Sequence, residues 1–456
     1  MTTLTAREPG TRAGPERPAL HRSVLGNGLR LVVAPEPGSG VVAIAVHYGV
    51  GYRAEPPDRA GFAHLFEHLM FSGSANVPRL AHYRYVQASG GSCNAVTARD
   101  HTCYYQVLPS GALERGLFLE ADRMRAPLFS AAALANQVAV IREEIGANVH
   151  GRPYGGLPWL LLPPVLFNGF ANAHYAYGTV AELSEATVSD CEDFFCRYYT
   201  PGNSVLTVAG DASPALVRQL AERYFGTIGS RPAPPLPDLA EAGGYTGREQ
   251  VHLDPLAPLP ATLAGWRLPA TAAGAGSQAT AAAGADRAAA NRMAYAALAA
   301  VLAGGDNARL HRALVATGAA AHVRAAASLA GEPLTSRDPD VFVLTIMHGG
   351  APVRGAAAPL ALLDDALAGL AGSGPDPAEL TRAVSRLAAS WYRSLARPRA
   401  RAQMLGAYEI VRGRAELAWE LAELAGSVSS ADVAAAAAGL LASQRGVLRV
   451  QPGSAP

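Results

Sequence analysis

Two large domains, each mixing strands with helices, are what this sequence predicts. Three observations carry that expectation. At 456 residues the chain outgrows a single compact core. Its first half alternates strand-like and helix-like patterns. After a Pro- and Gly-rich stretch the plan starts again, as a weak internal duplication would.

The elements follow in order. Residues 1–22 (MTTLTAREPGTRAGPERPALHR) are polar and Pro-rich without an apolar centre, and read as a disordered leader, not a secretory signal. GNGLRLVVAPEPGSGVVAIAVHYGVG reads as two strands around a Pro/Gly turn. A helix opens near Gly61 (GFAHLFEHLMF). SCNAVTARDHTCYYQVLP then has the alternation and the β-branched and aromatic content of a strand pair. SAAALANQVAVIREEIGANVHG is a long helix with Ser130 as its N-cap, and NSVLTVAGDAS is a strand followed by a turn. The first domain thus covers residues 23–229, the linker residues 230–247, and the second domain residues 248–456. In the second domain VHLDPLAPLPATLAGWRLP resembles strand, Pro turn, strand. The low-complexity stretch Thr271–Ala290 reads as a mobile loop, with helices from about Arg292 onward.

Composition excludes several classes of function. Net charge is +1, lysine is absent and the arginines are dispersed, so there is no basic stripe for nucleic acid. The longest apolar run, Leu157–Phe167 (LPWLLLPPVLF), is too short for a membrane span and is broken by three prolines. Four cysteines without paired C-x-x-C spacing read as reduced side chains of a cytoplasmic protein.

The chemistry-bearing segment is His64-Leu65-Phe66-Glu67-His68. Residues four apart on a helix share a face, so both imidazoles reach a single ion, with the Glu67 carboxylate beside it. Neutral imidazole suits zinc, and a catalytic zinc keeps one position open. A neighbouring carboxylate then serves as general base. The order inverts that of the H-E-x-x-H helix. Such a triplet also arises on solvated helices, but here Phe62, Leu65, Phe66, Leu69, Met70 and Phe71 surround it. Burying the three polar groups without a common partner is costly, and a metal removes the difficulty. A third ligand is required. IREEIG offers Glu143 and Glu144, which point about 100° apart on a helix.

Together these segments resemble the pitrilysin and insulinase group of zinc peptidases, which includes the mitochondrial processing peptidase. The likeness lies in GFAHLFEHLMFSGS, GGSCNAVTARDHTCYYQVLP, VAVIREEI and CRYYTPGNSVLTVAGD, and covers most of the first half. It implies an α+β fold of two homologous domains, each an antiparallel sheet with helices packed on one side. The chain would be half of a clamshell dimer. The resemblance also implies one Zn2+ per chain, held by His64, His68 and Glu143, with Glu143 preferred to Glu144 and Glu67 as general base. It implies a peptide substrate bound as an added strand along Ser92, Cys93, Asn94, Ala95 and Val96, where backbone pairing gives affinity with little sequence demand. The activity implied is that of a zinc metalloendopeptidase acting on short or unfolded peptides.

Two departures from the group stand out. Relatives carry a second glutamate seven residues before the metal-binding one. Counted from Glu143, this chain has Asn136, which can orient a ligand by hydrogen bonding but brings no charge. Active relatives also place an Arg and a Tyr in the segment corresponding to GGDNARLHRALVATGAAAHV, where they stabilise the oxyanion. Here Val315 and Ala321 take those positions, Arg309, Arg312, His322 and Arg324 lie nearby, and no Tyr occurs between Gly304 and Pro333. The gap points to a heterodimer whose homologous partner supplies Arg and Tyr, with a weakly active homodimer as the alternative. Two other readings are a non-catalytic assembly or binding protein and a different zinc hydrolase sharing the motif. Of the remaining candidates, His101 reads as structural and Cys191 and Cys196 as core residues. Tyr175, Tyr177 and Gly178 sit where the group has a loop near its chamber.

Overall fold

The computed structural model describes residues 18–241, 244–270, 278–329, 331–349 and 358–453. Two sheets organise it. The first contains β1 (His21–Val24), β2 (Arg30–Pro35), β3 (Val41–Tyr48), β4 (Ser92–Thr97), β5 (Thr102–Pro109) and β6 (Ser204–Gly210). Their order is β1-β2-β6-β3-β5-β4. The second contains β7 (Arg248–Asp254), β8 (Ala261–Arg267), β9 (Ala320–Ala326), β10 (Val341–His348) and β11 (Arg445–Pro452), in the order β7-β11-β8-β10-β9.

With β1 set aside, the two orders are the same. β2, β6, β3, β5 and β4 correspond to β7, β11, β8, β10 and β9. The strand directions agree as well: β2–β6 and β7–β11 are parallel and the other pairs antiparallel. The internal duplication is therefore real. The antiparallel sheets implied by the resemblance are mixed instead. The last strand of each repeat returns after a long helical excursion and inserts beside the first, and such a connection permits parallel pairing.

The central strands β3 and β6 are buried almost end to end. Their runs VVAIAVHY and SVLTVAG are the continuous apolar type expected when both faces are covered. Val42, Ile44 and Val46 point into one core, alternating with Ala43 and Ala45, which point into the other. The first face carries α1 (Phe62–Leu69) and the helix Leu113–Arg125, with α2 (Ala131–Ile145) packed on α1. In the second half α3 (Gln278–Ala303) packs near β9, and α4 (Pro398–Arg412) crosses onto β3 and β6. Helices thus cover both faces of the first sheet, not one side, because the second half lends α4. Gly406 permits the close crossing, since a Cβ there would fall 2.2 Å from His47 Nδ1.

Smaller differences concern boundaries. β1 begins at His21, so the end of the segment 1–22 is a paired strand, while residues 1–17 lie outside the described part. α3 begins at Gln278, inside the stretch expected to be a loop, because its alanines favour helix. Thr271–Ser277 lie outside the described residues. Residues 229–241 and 244–247 form no helix or strand. All four cysteines are free, with Cys191 buried but Cys196 exposed at the surface, not in a core. Among the described residues no single helix is long and apolar enough to cross a membrane.

A buried ionic network joins the halves beside β4. Arg53 donates to Asp100 through Nε (3.1 Å) and Nη2 (2.5 Å), and to the Arg337 carbonyl of the second half (2.8 Å). The Arg337 amide returns a bond to Asp100 at 2.7 Å, and Arg99 pairs with Asp340 at 3.1 Å. Burial pushes the Asp100 carboxyl up, but Arg53 and Arg337 outweigh it and hold it below its ordinary value. Asp100→Asn would leave the fully buried Arg53 without its counter-charge. We expect a stability loss of about 3–5 kcal/mol, read by urea denaturation.

Candidate metal centre

α1 starts behind Gly61, at φ 87°. A Cβ at that position would fall 2.6 Å from the Tyr177 carbonyl oxygen, so glycine is needed both for conformation and for space. Glycine offers no side-chain cap, and Glu55 supplies one from outside the helix. Its carboxylate accepts from the amides of Gly61 (2.9 Å) and Ala63 (2.7 Å), a favourable place for negative charge. Burial raises the Glu55 pKa, opposed by His174, whose Nε2 lies 3.0 Å away, and by the two amides.

The apolar stripe Phe62, Leu65, Phe66 and Leu69 is buried in the first core. It turns His64, Glu67 and His68 to the opposite side of α1. There they meet α2. Ser130 caps α2 by accepting from the Ala133 amide at 3.1 Å, and Leu134, Val138 and Ile141 anchor it.

The acidic group that α2 presents is Glu144. His64 Nε2 and His68 Nε2 are 3.3 Å apart. Glu144 Oε1 lies 3.7 Å from His64 Nε2, and Oε2 lies 3.4 Å from His68 Nε2. A tetrahedral zinc with ligands at about 2.0–2.1 Å has ligand–ligand edges of about 3.3–3.4 Å. The 3.3 and 3.4 Å distances match those edges and the 3.7 Å contact, to the other carboxylate oxygen, is slightly longer; among the described residues this is the one group of His, Cys, Asp or Glu close enough to share an ion. Burial, with His68 adding, lowers His64 to about 4, which keeps the imidazole neutral and ready to ligate. The bond to His68 leads the causes that lower Glu144 to about 2.

Glu143, expected as the third ligand, is exposed and points away. At about 100° per residue it falls roughly 170° from the stripe Leu134, Val138, Ile141 and Ile145, whereas Glu144 falls roughly 90° from it. The apolar periodicity of α2 was therefore the signal that separates the two. The position seven residues earlier shifts with the ligand. Asn136 is exposed on the outer face, and the residue two turns before Glu144 is the half-buried Gln137. Like asparagine, it brings no charge.

Glu67 lies beside the two imidazoles, half-buried, with Thr97 Oγ1 donating to its Oε2 at 2.6 Å. Burial raises its pKa, and the Thr97 hydroxyl and His68 oppose the rise. Thr97 ends β4, so the edge strand itself steadies this carboxylate. β4 pairs with β5 on one side, and no strand pairs with its outer edge among the described residues. Along it Ser92, Asn94 and Val96 are exposed, Cys93 is half-buried and Ala95 is buried. His101 stands apart from the three metal-type groups, buried and lowered to about 4 by that burial.

Between the halves lies a cavity of about 810 Å³, lined by Val96, Thr97, Trp159, Tyr175, His322 and Arg324 among others. Among the described residues, its wall from the second half has no tyrosine. Val315 is half-buried in the turn before β9, Ala321 is exposed on β9, and Arg312 is exposed. Arg309 is committed to Glu379 through two bonds of 2.9 and 2.8 Å. Sequence reasoning missed the roles of Glu55, Thr97 and Tyr177 at the site. Thr97 and Tyr177 are 30 and 33 residues from the groups they hold, and Glu55 caps α1 from six residues before Gly61, outside the usual capping spacing.

Two family descriptions match the chain: Insulinase (Peptidase family M16) over residues 30–152, and Peptidase M16 inactive domain over residues 185–387. The chain belongs to the M16 family, the pitrilysin and insulinase group. The Helicobacter pylori zinc protease PqqE is 28% identical over 252 residues, which cover 51% of this chain and 55% of that protein. Mitochondrial-processing peptidase subunit beta of Saccharomyces cerevisiae is 23% identical over 234 residues, 51% of this chain and 48% of that one. The chain thus spans about half the length of the curated relatives it matches. A protease structure from Helicobacter pylori superposes with a TM-score of 0.83 at 22% identity, covering 96% of this chain and all of the other.

The two acidic neighbours give a direct test. Glu144→Gln should weaken zinc binding by at least about tenfold in a chelator competition, while Glu143→Gln leaves it unchanged. The opposite ranking would restore Glu143 as the ligand.

Proposed function

We propose that this chain is the metal-bearing subunit of a zinc metalloendopeptidase that hydrolyses short or unfolded peptides. The convergence of His64 Nε2 and His68 Nε2, 3.3 Å apart, on the Glu144 carboxylate, with Oε1 3.7 Å from the first and Oε2 3.4 Å from the second, carries this reading. Zinc held by these three groups supplies Lewis acidity. Glu67 accepts a proton from the attacking water and returns it to the leaving amine. Its position supports that role: it projects from the helix that carries both imidazoles, and the Thr97 hydroxyl limits its rotation.

The peptide lies along β4. The free outer edge offers backbone groups at Ser92, Cys93, Asn94, Ala95 and Val96, and the last residue of the strand holds the base. Substrate backbone and proton acceptor are thereby set in one register. The cavity against the second half receives side chains from that strand, which favours extended and therefore unfolded peptides.

A homologous partner completes the site by supplying an Arg/Tyr pair: the segment Gly304–Pro333 has no Tyr, and Val315 and Ala321 stand at the two positions. That same lack favours the second reading, a family member of little or no activity that binds peptides or assembles with other chains. One experiment separates the two. With zinc loaded, an internally quenched unstructured peptide should be cleaved, and Glu67→Gln should lower turnover by about 10²–10⁴-fold while retaining zinc. Zinc binding without cleavage, alone or with a homologous partner, would leave the binding role.

The partner gives a further expectation. Adding a homologous chain that carries the Arg/Tyr pair should raise turnover by about 10²–10³-fold over this chain alone, the usual worth of an oxyanion donor. Full activity of the purified single chain would rule the partner out.

A further inference from the structure

One short segment, His174 to Gly178, reaches both helices of the metal centre. At one end, His174 Nε2 lies 3.0 Å from Glu55, the carboxylate that caps α1. At the other, the Tyr177 ring stands edge-on to His64 with centroids 5.1 Å apart, and its hydroxyl donates to Glu144 Oε1 at 2.9 Å. An ionised carboxylate only accepts, so the phenol is the donor. Asn148, on the turn that follows α2, donates through Nδ2 to the Tyr177 oxygen at 3.3 Å. The chain Asn148–Tyr177–Glu144 is complete. Glycine is required at the end of the segment, because a Cβ at Gly178 would fall 2.2 Å from the Ala60 carbonyl oxygen.

The phenol fixes the rotation of the Glu144 carboxylate. With Oε1 held by Tyr177 and 3.7 Å from His64 Nε2, Oε2 is turned toward His68 Nε2 at 3.4 Å. The terminal torsion of a glutamate is broad, so without that bond only the imidazoles restrain the carboxylate. We propose that Tyr177 is a positioning residue for the third metal ligand, holding Glu144 with one oxygen turned toward the ion. This rests on the metal reading above. The ring packs against Tyr175 (5.4 Å) and Trp159 (5.6 Å) whether or not it carries a hydroxyl. Tyr177→Phe therefore removes the donor and keeps the packing.

The test compares the wild-type chain, Tyr177→Phe and Asn148→Ala. Zinc affinity is measured by competition with a chromophoric chelator, and the visible spectrum of the Co2+-loaded protein reports ligand geometry. Tyr177→Phe should bind zinc about 10–100-fold more weakly and shift the Co2+ absorption while its melting temperature stays put. Asn148→Ala should lose affinity in the same direction by a smaller factor. If the wild type binds zinc and Tyr177→Phe matches it in affinity and spectrum, Tyr177 has no positioning role. If the wild type binds no zinc, the metal reading fails, and this inference with it.

Discussion

Everything at this site depends on bringing two imidazoles of one short helix within 3.7 Å of a carboxylate on another. Three like-minded polar groups do not gather at a core boundary unless something compensates their desolvation. Here the compensation is built in two layers. The inner layer is the mutual contact of His64, His68 and Glu144. The outer layer is a set of single bonds, Glu55 to the start of α1, Thr97 to Glu67 and Tyr177 to Glu144, each fixing one group in one orientation.

The repeat architecture explains where that site can exist. β4 and β9 are the equivalent edge strands of the two sheets, and both border the cavity between the halves. Only the first repeat carries the histidine pair. The second contributes a wall, and its β9 brings His322 and Arg324 to that wall in place of a tyrosine. The two walls are held in register by Arg53, Asp100, Arg99, Arg337 and Asp340, all close to the turn that follows β4. Because these ion pairs are buried, the spacing of the cavity is set by directional bonds as well as by apolar contact. α4 adds to this by crossing onto the first sheet, where Gly406 lets its backbone approach His47.

Much of this was legible from residues in order. The H-x-x-E-H helix, the Ser130 cap, the β4–β5 strand pair and the restart after Gly247 all rest on local patterns, whose periods and capping rules do not depend on the rest of the molecule. The choice between Glu143 and Glu144 was also present locally, in the stripe of Leu134, Val138 and Ile141, yet the resemblance is read toward Glu143, whereas Glu144 is the one beside the imidazoles. The helix from Gln278 was hidden by low complexity, since an alanine-rich stretch satisfies loop and helix patterns alike.

The sequence by itself determined which side chains share a helix face, because 3.6 residues per turn is a property of the backbone. It could not determine which distant groups those faces meet. Parallel insertion of β6 and β11, the crossing of α4 and the bonds from Thr97 and Tyr177 all join residues far apart along the chain. Such contacts form only when whole elements pack, so their partners are chosen by the closing of the fold and not by any local preference.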